Sequence, residues 1–133
     1  MLVETRDRGI IPASEVKVGD FLLGPDGFNE VTFAQERPQD VFIRVTVAGG
    51  SIEVTPSHAF SALNAASEAV GVRAADLTVQ HQLRTRTGAA FIEKIEVVKV
   101  SGAKMVLTVE PSHLFYAGET APQIVTHNFW IGS

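Results

Sequence analysis

The chain lacks cysteine entirely, and this absence removes several kinds of chemistry at once. Its 133 residues offer no thiol to form a disulfide, to bind a metal or to act as a nucleophile. Positive charge is also scarce, because 11 lysines and arginines face 15 acidic residues, so a nucleic-acid surface is not expected. No hydrophobic run approaches the roughly 20 residues of a membrane-spanning helix, and residues 1–8 are too charged for a secretory signal. We therefore expect no nucleic-acid or membrane partner, and a cytoplasmic location.

The chain does contain enough hydrophobic residues, 45% against 20% charged, to bury the core of a single domain. Val, Ile, Thr and Phe occur in short runs broken by Gly, Pro and Asp, which is typical of strands and turns. Turns are expected at 24–27, 49–50 and 87–88. Alanines at 62–69 and 73–77 favour helix, but both segments are too short and are expected to be connectors. The sequence thus predicts an all-β fold with strands at 18–23, 29–35, 41–47, 51–54, 82–85, 90–100, 104–109, 114–117 and 124–126.

An internal repeat is present. Residues 54–60 read Val-Thr-Pro-Ser-His-Ala-Phe and residues 109–115 read Val-Glu-Pro-Ser-His-Leu-Phe, so five of seven positions are identical. An apolar or β-branched run leads into each copy, and an aromatic residue follows each histidine by two positions. His58 and His113 therefore occupy equivalent places in two strand–turn–strand units. If these units face one another, both histidines lie on one pseudo-symmetric cleft.

Close to the end of the sequence, an apolar run delivers His127 and Asn128. The side-chain amide of Asn128 can attack its own backbone carbonyl, which closes a succinimide ring and releases the residues that follow. Because the reaction is intramolecular, proximity supplies much of its rate. Nearby histidines can supply the proton transfer and oxyanion stabilisation, since their ordinary pKa near 6.5 suits acid and base roles. We therefore expect autocatalytic, single-turnover cleavage of the Asn128–Phe129 bond.

Six segments of the sequence match one family pattern in order: residues 2–5, 16–20, 55–58, 75–77, 107–115 and 125–128. Together they resemble a Hint domain, the autoprocessing domain shared by inteins, bacterial intein-like domains and Hedgehog proteins. The resemblance covers nearly the whole chain and implies an all-β, Hint/intein-like horseshoe of short strands with pseudo-two-fold symmetry. It also implies an autoprocessing domain over residues 1–128, followed by flanking residues 129–133.

The resemblance implies roles for five residues. Thr55 and His58 match the pair that polarises the N-terminal scissile amide and protonates its nitrogen. His113 matches the histidine that assists asparagine cyclisation. His127 matches the histidine that stabilises the C-terminal tetrahedral intermediate, and Asn128 matches the asparagine that cyclises. No cofactor and no metal is implied, and the implied partners are the covalently attached flanking polypeptides.

Two departures from the family pattern bear on activity. The family places a Cys or Ser nucleophile a handful of residues before the strand that matches residues 2–5, whereas this sequence opens with Met1 directly at that strand. We expect N-terminal acyl transfer to need a nucleophile absent from this chain, through truncation or because a separate N-terminal segment supplies it, as in a split intein. Splicing inteins carry Cys, Ser or Thr where this chain has Phe129, which favours the bacterial intein-like subfamily. Since residues 129–133 are still attached, we interpret the chain as a precursor, either slow or awaiting a missing part.

Two other functions stay open at the level of the sequence. A catalytically silent β-module can bind a peptide, either the N-terminal segment as an added strand or an unrelated partner. The histidines can also bind a metal, although His-x-x-x-His spacing is missing, and zinc titration tests this reading. Structural roles are expected for Gly19 and Asp20 in a turn, Phe60 and Phe115 in the core, and His81 at the surface.

Overall fold

A computed structural model describes residues 1–127 as one antiparallel β-sheet. None of the helical turns within these residues is long and apolar enough to cross a membrane. Two single-turn 3-10 helices lie at Ala13–Glu15 and Ala74–Asp76. The strands are β1 (Leu2–Thr5), β2 (Gly9–Pro12), β3 (Phe21–Gly24), β4 (Gly27–Gln39), β5 (Phe42–Val47), β6 (Gly50–Val54), β7 (Ala59–Leu63), β8 (Ala69–Arg73), β9 (Gln82–Thr85), β10 (Gly88–Val98), β11 (Gly102–Glu110), β12 (Leu114–Gly118) and β13 (Ile124–His127).

The order of the strands explains how distant parts of the chain meet. The sheet runs β11-β4-β3-β1-β12-β13-β7-β9-β10-β5-β6, with β2 paired to β1 and β8 paired to β7. The two ends of this path, β11 and β6, both border one cleft, so the sheet is strongly curled. The all-β horseshoe predicted from the sequence is confirmed.

Local sequence accounts for most of the strands and turns. Gly24 pairs with Gly27 across the β3–β4 hairpin, as predicted, and Gly27 has the positive φ of +106° that favours glycine. The prediction that 62–69 is a connector is wrong at both of its ends, which belong to β7 and β8. Pairing of β7 with β8, β9 and β13 outweighs the helical preference of alanine, and Ala62 is fully buried there.

The core of buried hydrophobic residues contains both phenylalanines of the repeat, as predicted. Phe60 is 0% exposed and Phe115 is 2% exposed. The expected turn at Gly19 and Asp20 is also present, because Gly19 has φ +96° and the Asp20 carboxylate accepts a hydrogen bond from the Lys17 amide at 2.8 Å. Residues buried together with Phe60 and Phe115 include Val3, Leu22, Val31, Val45, Ile52, Leu83, Val109 and Ile124.

Candidate functional site

The first Pro-Ser-His turn joins β6 to β7. The His58 amide donates to the Thr55 carbonyl at 3.0 Å, and the Thr55 side chain is only 3% exposed. The 3-10 helix at Ala74–Asp76 holds this turn from outside, because the Ala74 amide donates to the His58 carbonyl at 2.7 Å and the Ala75 amide donates to the Pro56 carbonyl at 2.9 Å. Both ends of the turn are therefore fixed by backbone hydrogen bonds.

The second Pro-Ser-His turn joins β11 to β12 and is held by a side chain. Asn29 on β4 is 2% exposed, and its Nδ2 donates to Ser112 Oγ at 2.7 Å and to the Leu114 carbonyl at 2.9 Å. Asn29 Oδ1 accepts from the Ser112 amide at 3.1 Å. His113 adopts a left-handed backbone with φ +65°, and the Glu110–Pro111 peptide is cis. One asparagine thus fixes a turn more than 80 residues away in sequence.

Strand β13 brings the third histidine between the other two. His127 pairs with Leu114 on β12, next to His113, and with Ala59 on β7, next to His58. The ring centroids of His113 and His127 are 6.2 Å apart. The structure therefore gathers all three histidines at one place, with His127 in the middle. Asn128 and Phe129, and with them the flanking residues 129–133, lie outside the described residues.

The surroundings of the histidines keep two of them neutral. Burial lowers the pKa of His58 to about 3, and repulsion from Lys104 and His127 acts in the same direction. Burial also lowers the pKa of His127, with a further contribution from His113. Within residues 1–127 the buried Nε2 atom of His58 has no hydrogen-bond partner. At neutral pH the site therefore offers uncharged imidazoles, one of them with an unused nitrogen.

A cleft of about 380 Å³ lies beside the first turn. Thr55 and His58 border it, as do Met1 and residues of the two edge strands β6 and β11. Lys104 enters it from β11, and its Nζ donates to Thr55 Oγ1 at 2.6 Å. Sequence reasoning missed Lys104 as a site residue. The available signal was period-two alternation, which puts Lys104 on the same strand face as the buried Thr108.

The part of the chain that the structure describes contains no group of three or more His, Cys, Asp or Glu side chains placed to hold a metal ion. The three histidines instead follow one another along the ends of neighbouring strands. Their arrangement suits transfer of protons at the end of β13, since histidine near neutral pH can accept or donate one.

Comparison with solved structures shows the same architecture elsewhere. The gp41-1 intein is 25% identical with a TM-score of 0.79, over 96% of this chain and 93% of that one. The bacterial intein-like domain from Clostridium thermocellum is 19% identical with a TM-score of 0.78, over 96% and 94%. The AceL NrdHF class 3 split intein is 18% identical with a TM-score of 0.81, over 97% and 95%. No family model matches the chain, and no curated protein matches its sequence.

These likenesses, with the curled sheet and its two Pro-Ser-His turns, show that the chain has the Hint/intein fold. The resemblance seen in the sequence is thereby confirmed. Within that class, the structural neighbours are inteins and an intein-like domain, which supports a domain of the protein-splicing or self-cleaving kind.

Proposed function

We propose that this domain cleaves its own chain at the Asn128–Phe129 bond. The side-chain amide nitrogen of Asn128 attacks the Asn128 carbonyl carbon, the bond to the Phe129 nitrogen breaks, and that nitrogen takes up a proton and leaves with the tail. Asn128 is left as a succinimide. Each molecule reacts once, so the domain is an autocatalytic unit and not a turnover enzyme. The polypeptides attached at its two ends are its reaction partners.

The observation that carries this proposal is the position of His127 between the two turns. His127 immediately precedes Asn128 in the sequence, and its ring lies 6.2 Å from that of His113. A neutral imidazole can accept the proton of the attacking amide, and a second one can deliver a proton to the leaving nitrogen. The lowered pKa of His127 supports this role, because it favours the uncharged ring at neutral pH.

The cleft beside the first turn supports a second reaction in the proposed function, acyl transfer at the N-terminal end of the domain. Met1 borders that cleft together with Thr55 and His58, so we assign the cleft to the peptide bond that precedes residue 1. Methionine offers no nucleophile for an acyl shift at that bond. We therefore expect N-terminal transfer only when a Cys or Ser is present at residue 1 or on an added N-terminal segment.

Intact-mass spectrometry of the full chain over time at neutral pH tests the proposal. We expect loss of residues 129–133 and a succinimide on Asn128. Asn128→Ala abolishes this loss because the cyclising amide is gone. Asn64→Ala, which removes the same side chain from a turn between β7 and β8, is the matched control and is expected to cleave like the parent.

Two outcomes would contradict the proposal. Tail release at an unchanged rate in Asn128→Ala would refute the cyclisation mechanism. A constant mass in the parent chain, alone and with an added segment that carries Cys or Ser, would leave a peptide-binding β-module of the same fold.

A further inference from the structure

Lys104 is a largely buried cation whose charge the proposed chemistry has not used. Its Nζ donates to Thr55 Oγ1 at 2.6 Å. Glu36, Glu53 and Glu119 border the same cleft, yet within residues 1–127 none of them pairs with Lys104. A buried charge without a counter-charge is costly. The remaining N–H groups of this ammonium are therefore suited to a negatively charged or strongly polar group that enters the cleft.

The hydrogen bond to Thr55 also sets what the Thr55 hydroxyl can do. A hydroxyl has one hydrogen and two lone pairs. Because Lys104 donates to the oxygen, the Thr55 hydrogen can donate to a second acceptor, and the positive charge strengthens that donation. Ser57 Oγ lies 3.5 Å from Thr55 Oγ1, a long contact that a group entering the cleft can replace. Lys104 and Thr55 thus offer two adjacent donors, which is the composition of an oxyanion-binding site.

Residue 1 borders the same cleft as these two donors. The Met1 carbonyl accepts a hydrogen bond from the Ala13 amide at 2.8 Å, and the Met1 nitrogen lies 3.7 Å from Glu119 Oε1. Glu119 is itself held, because its Oε2 accepts from the Glu53 amide at 3.1 Å. The carbonyl and the nitrogen of residue 1 thus both lie at the cleft, and a residue attached to that nitrogen brings its carbonyl to the same cleft.

We propose that Lys104 and Thr55 together stabilise the negative charge on the carbonyl oxygen of the residue before Met1 when the bond to Met1 is attacked. The inference rests on the proposed function. A thiol at residue 1 attacks that carbonyl carbon and forms a thioester; the carbon–nitrogen bond breaks, and the nitrogen of residue 1 takes up the thiol proton. The oxygen is negative only between attack and bond breakage, so donors placed there accelerate the step.

The charge on Lys104 has a second effect, on His58. Lys104 contributes to the lowered pKa of His58, while burial and the neighbouring Arg37 lower the pKa of Lys104 itself. Loss of the Lys104 charge is therefore expected to raise the pKa of His58. The other charged groups that border the cleft are Glu36, Glu53, Glu119 and the Met1 amino group, and His127 faces His58 from β13.

The test uses the full chain with a leader polypeptide fused before residue 1 and with Met1→Cys. Thiol-induced release of the leader and release of the tail are followed by mass in the same sample. We expect Lys104→Met, which keeps the length but removes the charge, to slow leader release about 100-fold. Lys104→Arg is expected to stay within about tenfold of the parent because the positive charge remains. Lys99→Met, at an exposed lysine, is the matched control. Tail release is expected to change little in all three.

Each result has a distinct meaning. Equal leader release in Lys104→Met and the parent, with melting curves that show both folded, would overturn the inference and leave cleavage at Asn128 standing. Lys104→Arg as slow as Lys104→Met would overturn the role of charge. A parent that releases its tail but not its leader would also overturn the inference, whereas one that releases neither would overturn the proposed function as well.

A pH profile of leader release separates an electrostatic role from a merely structural one. If neutral His58 is needed, the rate falls on the acid side as His58 gains a proton. The acid limb is expected to move to higher pH in Lys104→Met and to stay in place in Lys104→Arg. An unmoved limb in Lys104→Met would contradict the coupling between the two residues.

Discussion

The two Pro-Ser-His turns have nearly the same sequence but are held in different ways. Residues 55–58 are fixed by backbone hydrogen bonds from the 3-10 helix at Ala74–Asp76, and His58 has a negative φ. Residues 110–113 are fixed by the side chain of Asn29, and His113 is left-handed. The repeated motif sets the residue types of a turn, while the element packed against it decides where the histidine points.

This difference separates the surroundings of the two histidines. His58 borders the cleft with Lys104 and residue 1, whereas His113 lies against the ring of His127. One repeated pattern therefore presents one imidazole near residue 1 and another near residue 127. Four experiments test whether the two turns divide the work in this way.

The largest expected effect is on tail release. His113→Ala and His127→Ala are expected to slow it by about 10²–10⁴, the usual range for a lost proton-transfer group. His58→Ala is expected to change it by less than about tenfold, because His58 borders the cleft at residue 1. Time-resolved intact mass measures all three rates. If His58→Ala proves the slowest, the two turns do not divide the work in this way.

The hydrogen bonds from Asn29 to the second turn are expected to stabilise the fold. Asn29→Ala removes the hydrogen bonds from Asn29 to the Ser112 amide, the Ser112 hydroxyl and the Leu114 carbonyl, at a cost of about 2–4 kcal/mol. Asn29→Asp keeps the acceptor for the Ser112 amide and is expected to lose less. Urea unfolding measures both, and equal midpoints for Asn29→Ala and the parent would show that the turn does not depend on this side chain.

Stability is expected to fall in acid because of the first turn. His58 has an ordinary pKa near 6.5 when unfolded and about 3 when folded, so the unfolded chain binds the proton more tightly. The contribution of His58 to the free energy of unfolding is fully present above pH 6.5. It is lost as the pH falls towards 3, by at most about 1.4 kcal/mol per pH unit. His127 acts in the same direction. Thermal melts of the parent and His58→Gln measure the slope, and an equally steep slope in His58→Gln would assign it to other groups.

The smallest expected effect concerns backbone strain in the second turn. Asparagine tolerates a left-handed backbone better than histidine, so His113→Asn is expected to stabilise the fold by about 0.5–1 kcal/mol while losing cleavage activity. His58→Asn, at a negative φ, is expected to bring no such gain. Melting temperatures compare the two variants, and a gain at His58 alone would contradict the role of φ.

Much of this architecture could be predicted from the sequence because its signals are local. Short runs of Val, Ile, Thr and Phe predicted the strands, Gly-Pro-Asp-Gly predicted a hairpin turn, and the repeated motif predicted that the histidines lie together. The strands at 59–63 and 69–73 were missed since small alanines carry little strand preference and the pairing partners lie elsewhere in the chain. Asn29 and Lys104 were missed for the same reason: each acts on a residue at least 49 positions away.

His81 illustrates how the repeat extends beyond its motif. It was expected at the surface, and it is only partly exposed. Its Nδ1 accepts from the Thr78 amide at 3.0 Å, as the Asp20 carboxylate accepts from the Lys17 amide at 2.8 Å. The turns at 17–20 and 78–81 are thus closed in the same way by different side chains, a carboxylate and an imidazole. A comparison of the two sequences alone does not reveal this equivalence.

The strand order also fixes the two exits, meaning the positions of residue 2 at the start of β1 and residue 127 at the end of β13. β1 and β13 lie on either side of β12, with Leu2 opposite Gly118 and His127 opposite Leu114. Four residues along β12 and two strand spacings across it separate the exits by about 16 Å. A linker of about five extended residues spans that gap. Joining the exits and opening the exposed turn at 65–67 would retain every described strand pair, so the fold is suited to circular permutation.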